Sequence, residues 1–250
     1  MAWLGRGRDH GRCCRGDVCD SLMTMTTDDM NVNADVPDRW DPEPRWPAAI
    51  AVLAVGGLYL ALPPYLTIGP HWLFPAVVFV LLVPTVISHR ARKHQLNRIL
   101  GFTVTGLVTM GMIVSVILLI GALPAHKESP TALLLSAASI WTTNILVFAL
   151  WYWRLDAGGP HGRDQRLGHP DGAFLFPQMT MPPEAKFEAG LHTWSPNFVD
   201  YLFLAFNTST AFSPTDVPVL ARWGKALMML QSLISLTVLA LLAARAVNIL

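Results

Sequence analysis

Charge is scarce in this chain. Asp, Glu, Lys and Arg make up 14% of its 250 residues, against about 25% in soluble domains. The net charge is +1, which gives no basis for holding a polyanion, so a nucleic-acid partner is not expected. Cysteine is nearly absent. Cys13, Cys14 and Cys19 all lie in the polar N-terminal stretch, so no disulfide framework is expected. No His follows Cys13 and Cys14 at zinc-finger spacing. Paired acids, paired histidines and Ser–His arrangements are missing from every apolar segment. Without them an intramembrane enzyme lacks its acid, base or metal, and neither catalysis nor a cofactor is expected.

What is abundant is apolar sequence: 52% hydrophobic residues, with a mean hydropathy of +0.41. The charges cluster and leave tracts near the roughly 20 residues that cross a bilayer. In lipid such tracts must satisfy their own backbone, so they are expected to be helices. The fold class is therefore an all-α, polytopic helical membrane protein, resident in the inner or plasma membrane of the cell, with the bilayer as its first partner.

Residues 1–45 mix Arg, Asp, Gly and Pro with few large apolar side chains. This composition is that of a disordered arm. No apolar h-region follows the early arginines, so a secretory signal is not expected. Met23, Met25 and Met30 are alternative starts.

Residues 46–154 read as four membrane helices. The first runs from about Pro47 to Leu62, behind Trp46 and ahead of Pro63-Pro64. The second runs from about Pro70 to Ser88, with His71 and Trp72 at its boundary and Pro84 expected to kink its far end. The third, about Ile99 to Leu123, carries Gly111 and Ser115 at small-xxx-small spacing, which suits close helix packing. The fourth starts with Ser129 as N-cap and Pro130 at N1. Ser136, Ser139, Thr143 and Asn144 give it a polar face, for interhelical hydrogen bonds or for a hydrated path. Trp151-Tyr152-Trp153-Arg154 closes it as an aromatic belt with a snorkelling cation.

Residues 155–195 form the one long connection, rich in Gly, Pro and His. A metal site drawn from His161, His169 and His192 with Asp164 or Asp171 matches no ligand spacing, so no metal is expected. Residues 196–250 follow. Ser195-Pro196 repeats the N-cap pattern, and Asp200 suits a helix start. The segment to Ala211 or Phe212 has about 16 residues, roughly 24 Å, short of a roughly 30 Å hydrocarbon core. It ends in Asn207-Thr208-Ser209-Thr210. A break at Ser213-Pro214 and then Asp216, a candidate N-cap, lead into the last helix, where Gln231 and Ser235 share a face.

His89-Arg90-Ala91-Arg92-Lys93-His94 is the clearest topology signal. The positive-inside rule puts it, and with it the N-terminus, in the cytoplasm. Six transmembrane segments place 15 of the 18 Lys and Arg inside; five plus a re-entrant segment at 196–212 place 16 inside. Charge does not choose between them. Six spans are preferred because long apolar segments usually cross.

From about Asn144 onward the chain resembles an uncharacterised bacterial integral-membrane family, a domain of unknown function. The shared order is Trp151-Tyr152-Trp153, Phe176-Pro177, Pro196-Asn197-Phe198-Val199-Asp200-Tyr201, Phe206 and Thr208, Asp216, then Ala246-Val247-Asn248. That resemblance implies membrane residence and no assigned activity. The same stretch resembles the pore region of potassium channels. There a short aromatic, threonine-containing helix leads into Thr-Val-Gly-Tyr-Gly-Asp, a proline and the inner helix. Thr208, Ser209 and Thr210 resemble the threonines, Asp216 the aspartate and Pro218 the proline. The filter glycines are replaced by Ala211-Phe212-Ser213-Pro214-Thr215, so a potassium-selective filter is not expected.

The expected site is Asn207, Thr208, Ser209, Thr210, Ser213, Thr215 and Asp216, faced by Gln231 and Ser235. Hydroxyls with a carboxylate replace part of a small cation's water shell, which points to a channel-like or transport role. One chain supplies too few helices to close a fourfold pore, so this role calls for a homo-oligomer. The alternatives are that these groups cap helix ends, and that the protein is a non-catalytic scaffold or interaction subunit.

Overall fold

The computed structural model describes residues 43–90, 94–122, 130–164, 172–191, 194–211 and 217–247. Cys13, Cys14 and Cys19 fall outside them, as does most of the arm. The described chain is all-helical apart from one isolated antiparallel bridge.

Six longer helices organise it: α1 (Trp46–Leu60), α2 (Leu73–Arg90), α3 (His94–Ala122), α4 (Pro130–Leu155), α5 (Phe198–Thr210) and α6 (Arg222–Val247). Prolines set several boundaries, as their missing N–H and fixed φ require. α1 has Pro47 in its first turn and stops before Pro63-Pro64, which opens a short 3-10 turn, Pro64–Leu66. α3 begins five residues earlier than expected. Asn97 is the reason: its amide donates to Thr85 O of α2 at 2.8 Å and to Ser88 Oγ at 3.4 Å. Among the described residues three helices are long and apolar enough to cross a membrane, within Gln95–Gly121, Thr131–Asp164 and Arg222–Ala244; Trp46–Leu60 and Leu73–Ser88 are apolar but shorter.

α4 is the hub. It packs against α1, α3, α5 and α6. More than half of its apolar window, 56%, is buried, against 22% for α6. Most side chains that α2, α3 and α6 leave exposed along their middles are themselves apolar, such as Phe79, Ile117 and Leu233. That is the surface a hydrocarbon solvent permits.

Gly111 and Ser115 bring α3 close to its neighbours, though not through helix backbones. A Cβ at 111 would lie 2.6 Å from the Phe74 ring, which stacks on Tyr59 at 4.2 Å. Ser115 Oγ donates to Leu66 O at 3.1 Å.

The connection after α4 is more ordered than its Gly and Pro content suggests. Ala157 sits at φ 49°, and Gly158 and Gly159 also take positive φ. The reversal leads into a short helix, Gly159–Asp164. Two more, Pro177–Thr180 and Pro183–Glu188, follow. Just before Pro177, Phe174 bridges Val219: Leu175 N donates to Pro218 O at 3.0 Å and Leu220 N to Ala173 O at 2.8 Å.

This pairing brings the approach to α6 beside the segment that follows α4. α5 and α6 both start at that end: Phe198 meets Trp153 at 5.8 Å, and Trp223 meets Phe174 at 5.8 Å. Two boundaries differ from expectation for local reasons. α5 is capped by Asn197 rather than Ser195, in a capping box with Asp200. α6 starts at Arg222 rather than near Asp216, because residues 218–220 are spent on backbone pairing.

Replacing Gly111 with Leu is expected to push Phe74 off Tyr59 and to cost about 1–3 kcal/mol. Unfolding of the purified protein in detergent measures this.

Candidate functional site

Among the expected site residues, the structure brings Ser209 and Gln231 together and ties Ser235 to α4. Gln231 lies on α6 with no exposed surface. Its Nε2 donates to Ala205 O at 2.7 Å and Ser209 Oγ at 2.8 Å on α5, while its Oε1 accepts from Tyr152 OH at 2.6 Å on α4. One side chain thus joins three helices. Asn144 Nδ2 extends the seam, donating to Ser235 Oγ at 2.8 Å and Gln231 O at 3.2 Å. Ser232 Oγ reaches Thr208 O at 3.3 Å, supplying a donor to a carbonyl in the last turn of α5.

The other expected residues part company. Thr208 is fully buried, but its hydroxyl donates to Leu204 O one turn back, at 2.8 Å. Thr210 does the same to Phe206 O at 3.0 Å, on an exposed face. Asn207 is half-buried, and its carbonyl accepts from Ala211 N at 2.8 Å. Ser213, Thr215 and Asp216 lie outside the described residues. So do His169, His192 and Asp171. Among the described residues no cluster of three or more His, Cys, Asp or Glu is placed to hold a metal.

Tyr152, Trp153 and Arg154 do not form an interfacial belt. Tyr152 and Trp153 are buried. Tyr152 turns inward because Gln231 offers a buried acceptor for its hydroxyl. Arg154 does not snorkel freely either: its Nε donates to Thr105 Oγ1 of α3 at 2.8 Å.

A second polar cluster, where sequence reasoning saw only an arm and a loop, fixes the end where α5 starts. Arg163 pairs with Glu43 at 2.8 Å, their side chains 2% and 8% exposed. It also donates to Trp153 O and Asp156 O, each at 3.0 Å. The Trp153 indole N–H donates to Glu43. Burial pushes the Glu43 carboxyl above its ordinary pKa, and Arg163 opposes that shift. Asp156, also buried, accepts from Ala173 N and from Tyr201 OH at 2.6 Å, so it holds α5 and the bridge segment to the end of α4. Arg163 stacks on Tyr201, 5.1 Å from its ring centre. Arg45 and Asp164 pair at 2.9 Å nearer the surface. The one available signal was Asp156 and Arg163 placed seven residues apart at the edge of an apolar tract.

No family model, curated protein or solved structure matches the chain.

Gln231→Leu removes three buried bonds and is expected to destabilise the protein by about 2 kcal/mol, at roughly 0.6 per bond in a membrane. Tyr152→Phe should cost only about 0.5–1.5 kcal/mol. Glu43→Ala strands a buried guanidinium and is expected to cost about 3–5 kcal/mol. Asp164→Asn, at the more exposed pair, should cost about 1 kcal/mol or less. Reversible unfolding in detergent distinguishes these.

Proposed function

We propose that this chain is a multi-pass protein of the cell membrane with five crossings and one re-entrant segment, and that the re-entrant segment serves a channel-like or transport role. The observation that carries this reading is the bridge between residues 173–175 and 218–220. α5 has 13 residues, about 20 Å of helix. The six steps from Ala211 to Val217 cover about 20 Å when extended. The segment enters from one face and has just enough chain to come back to it. With the 89–98 loop in the cytoplasm, that face is cytoplasmic, and 16 of the 18 Lys and Arg lie on its side. α1 and α2 are short, and they cross with their flanking residues or in a locally thinned bilayer.

The order of short helix, return and long helix supports the resemblance to a potassium-channel pore region. The absent glycines and the cytoplasmic opening set it apart, so a potassium filter is not part of the proposal. Asn207, Thr208, Ser209 and Thr210 form the last turn of α5, and Ser213, Thr215 and Asp216 follow them in sequence. A small cation passing there would exchange water for hydroxyl, carbonyl and carboxylate oxygens. One chain supplies one such hairpin, so a pore requires several copies around an axis.

A second reading, a non-catalytic scaffold or interaction subunit, is favoured by a specific observation. The described hydroxyls of α5 are already engaged, Thr208 and Thr210 with their own helix and Ser209 with Gln231.

Cation flux into proteoliposomes separates the two. The proposal expects flux with the wild-type protein, and about tenfold less with Asp216→Ala, a barrier increase of about 1.4 kcal/mol. No flux from folded wild-type protein leaves the scaffold.

A further inference from the structure

Arg154 stands apart from the other buried cations. The nearby ion pairs take Arg45 and Arg163. Among the described residues no carboxylate pairs with Arg154. It is nevertheless held in place. Thr105 accepts from its Nε, and Thr105's own hydroxyl donates to Gly101 O at 2.9 Å. Its guanidinium lies 5.3 Å from the Trp153 ring centre. Gly101 makes the room: a Cβ there would lie 2.6 Å from Arg154 Cζ. The guanidinium therefore packs against α3 at Gly101, and among the described residues its bond to another helix is the one from Nε.

The surroundings fit an amphiphile rather than a dissolved ion. Trp151 Nε1 donates to Thr109 at 2.8 Å, and its ring packs on Phe102 at 6.1 Å. Arg98, exposed and one turn from Gly101, stands 6.0 Å over the Phe102 ring. Leu96 and Ile99 of the same helix are also exposed. The start of α3 and the end of α4 thus present two guanidiniums and aromatic rings side by side, with exposed apolar side chains next to them, and the topology proposed above puts this end at the cytoplasmic face. A half-buried cation without a counter-charge is costly. A phosphate matches the guanidinium fork and removes that cost.

We infer that the α3–α4 groove at Gly101 and Arg154 binds the phosphate of an anionic membrane lipid, with Arg154 as its fixed donor and Arg98 as a second cation. The site stands apart from the re-entrant segment and does not depend on its role.

The test uses the purified full chain in detergent. Binding of phosphatidylglycerol and phosphatidylcholine is compared by native mass spectrometry, and the unfolding midpoint is followed as each lipid is added. The expected result is retention of phosphatidylglycerol about tenfold tighter than phosphatidylcholine, about 1.4 kcal/mol, with a higher midpoint. Arg154→Gln should abolish that preference. Gly101→Ala keeps the charge but displaces the guanidinium, and it should weaken the preference. Equal binding of the two lipids to the wild type overturns the inference, as does an unchanged preference in folded Arg154→Gln. Should Arg154→Gln fail to fold, an unchanged preference in Gly101→Ala overturns it. A midpoint raised as much by inorganic phosphate as by phosphatidylglycerol assigns the groove to a soluble anion and overturns the lipid.

Discussion

A helix that ends inside a bilayer leaves carbonyls that no water can reach. α5 is such a helix under the re-entrant reading, and its neighbours meet that constraint. Gln231 donates to Ala205 O and Ser209 Oγ, and Ser232 donates to Thr208 O. Those donors lie well inside α6, away from its start. They hold the inner half of α5 against α6, while Tyr152 ties the same glutamine to α4. Such bonds are individually modest in membranes, because the unfolded chain in lipid finds partners too. Their value here is positional: a glutamine on α6 bonded to both α4 and α5 tolerates one arrangement of the three.

The outer end of α5 is held by different chemistry. Asp156, Tyr201 and the backbone of Ala173 join three segments at one carboxylate. Arg163 and Glu43 close the cluster against α1. The ionic groups cluster beyond the end of α4, and the neutral hydrogen bonds run along the helices; burying charge is the costlier of the two, and here each of these charges has a partner. α4 carries members of both clusters, Asn144 and Tyr152 inward and Trp153 at the end, with Asp156 just beyond it. This is why it is the most buried of the long helices.

Much of the helical layout was legible in the sequence, because proline and the length of apolar runs act locally. Pro63-Pro64 and Pro130 punctuate the helices close to where the chain shows them. The ends of α5 and α6 were less legible, because two local signals competed. Ser195-Pro196 is a sound cap pattern, yet Asn197 and Asp200 form the actual capping box. Pairing of Pro218 and Leu220 with residues from the preceding connection delayed α6. The inward turn of Tyr152 and the pinning of Arg154 could not be read locally. An aromatic run with a terminal cation ordinarily marks an interface. What overrides it is Gln231, 79 residues away, and the notch at Gly101. Of the expected site, Ser209, Gln231 and Ser235 do join the seam. The hydroxyls of Thr208 and Thr210 turn back on their own helix, as Ser and Thr do when a carbonyl one turn earlier is nearer than any other partner.

Whether α5 returns to the face it left decides between five crossings and six. Single cysteines introduced as Glu184→Cys and Leu220→Cys, in a chain lacking Cys13, Cys14 and Cys19, test this directly when an impermeant thiol reagent is applied outside intact cells. Both native positions are exposed on the folded chain. The account predicts that neither cysteine is labelled until the membrane is permeabilised, after which both react. Labelling of the cysteine at 220 from outside, with that at 184 still protected, would mean that α5 crosses, and would contradict the re-entrant segment.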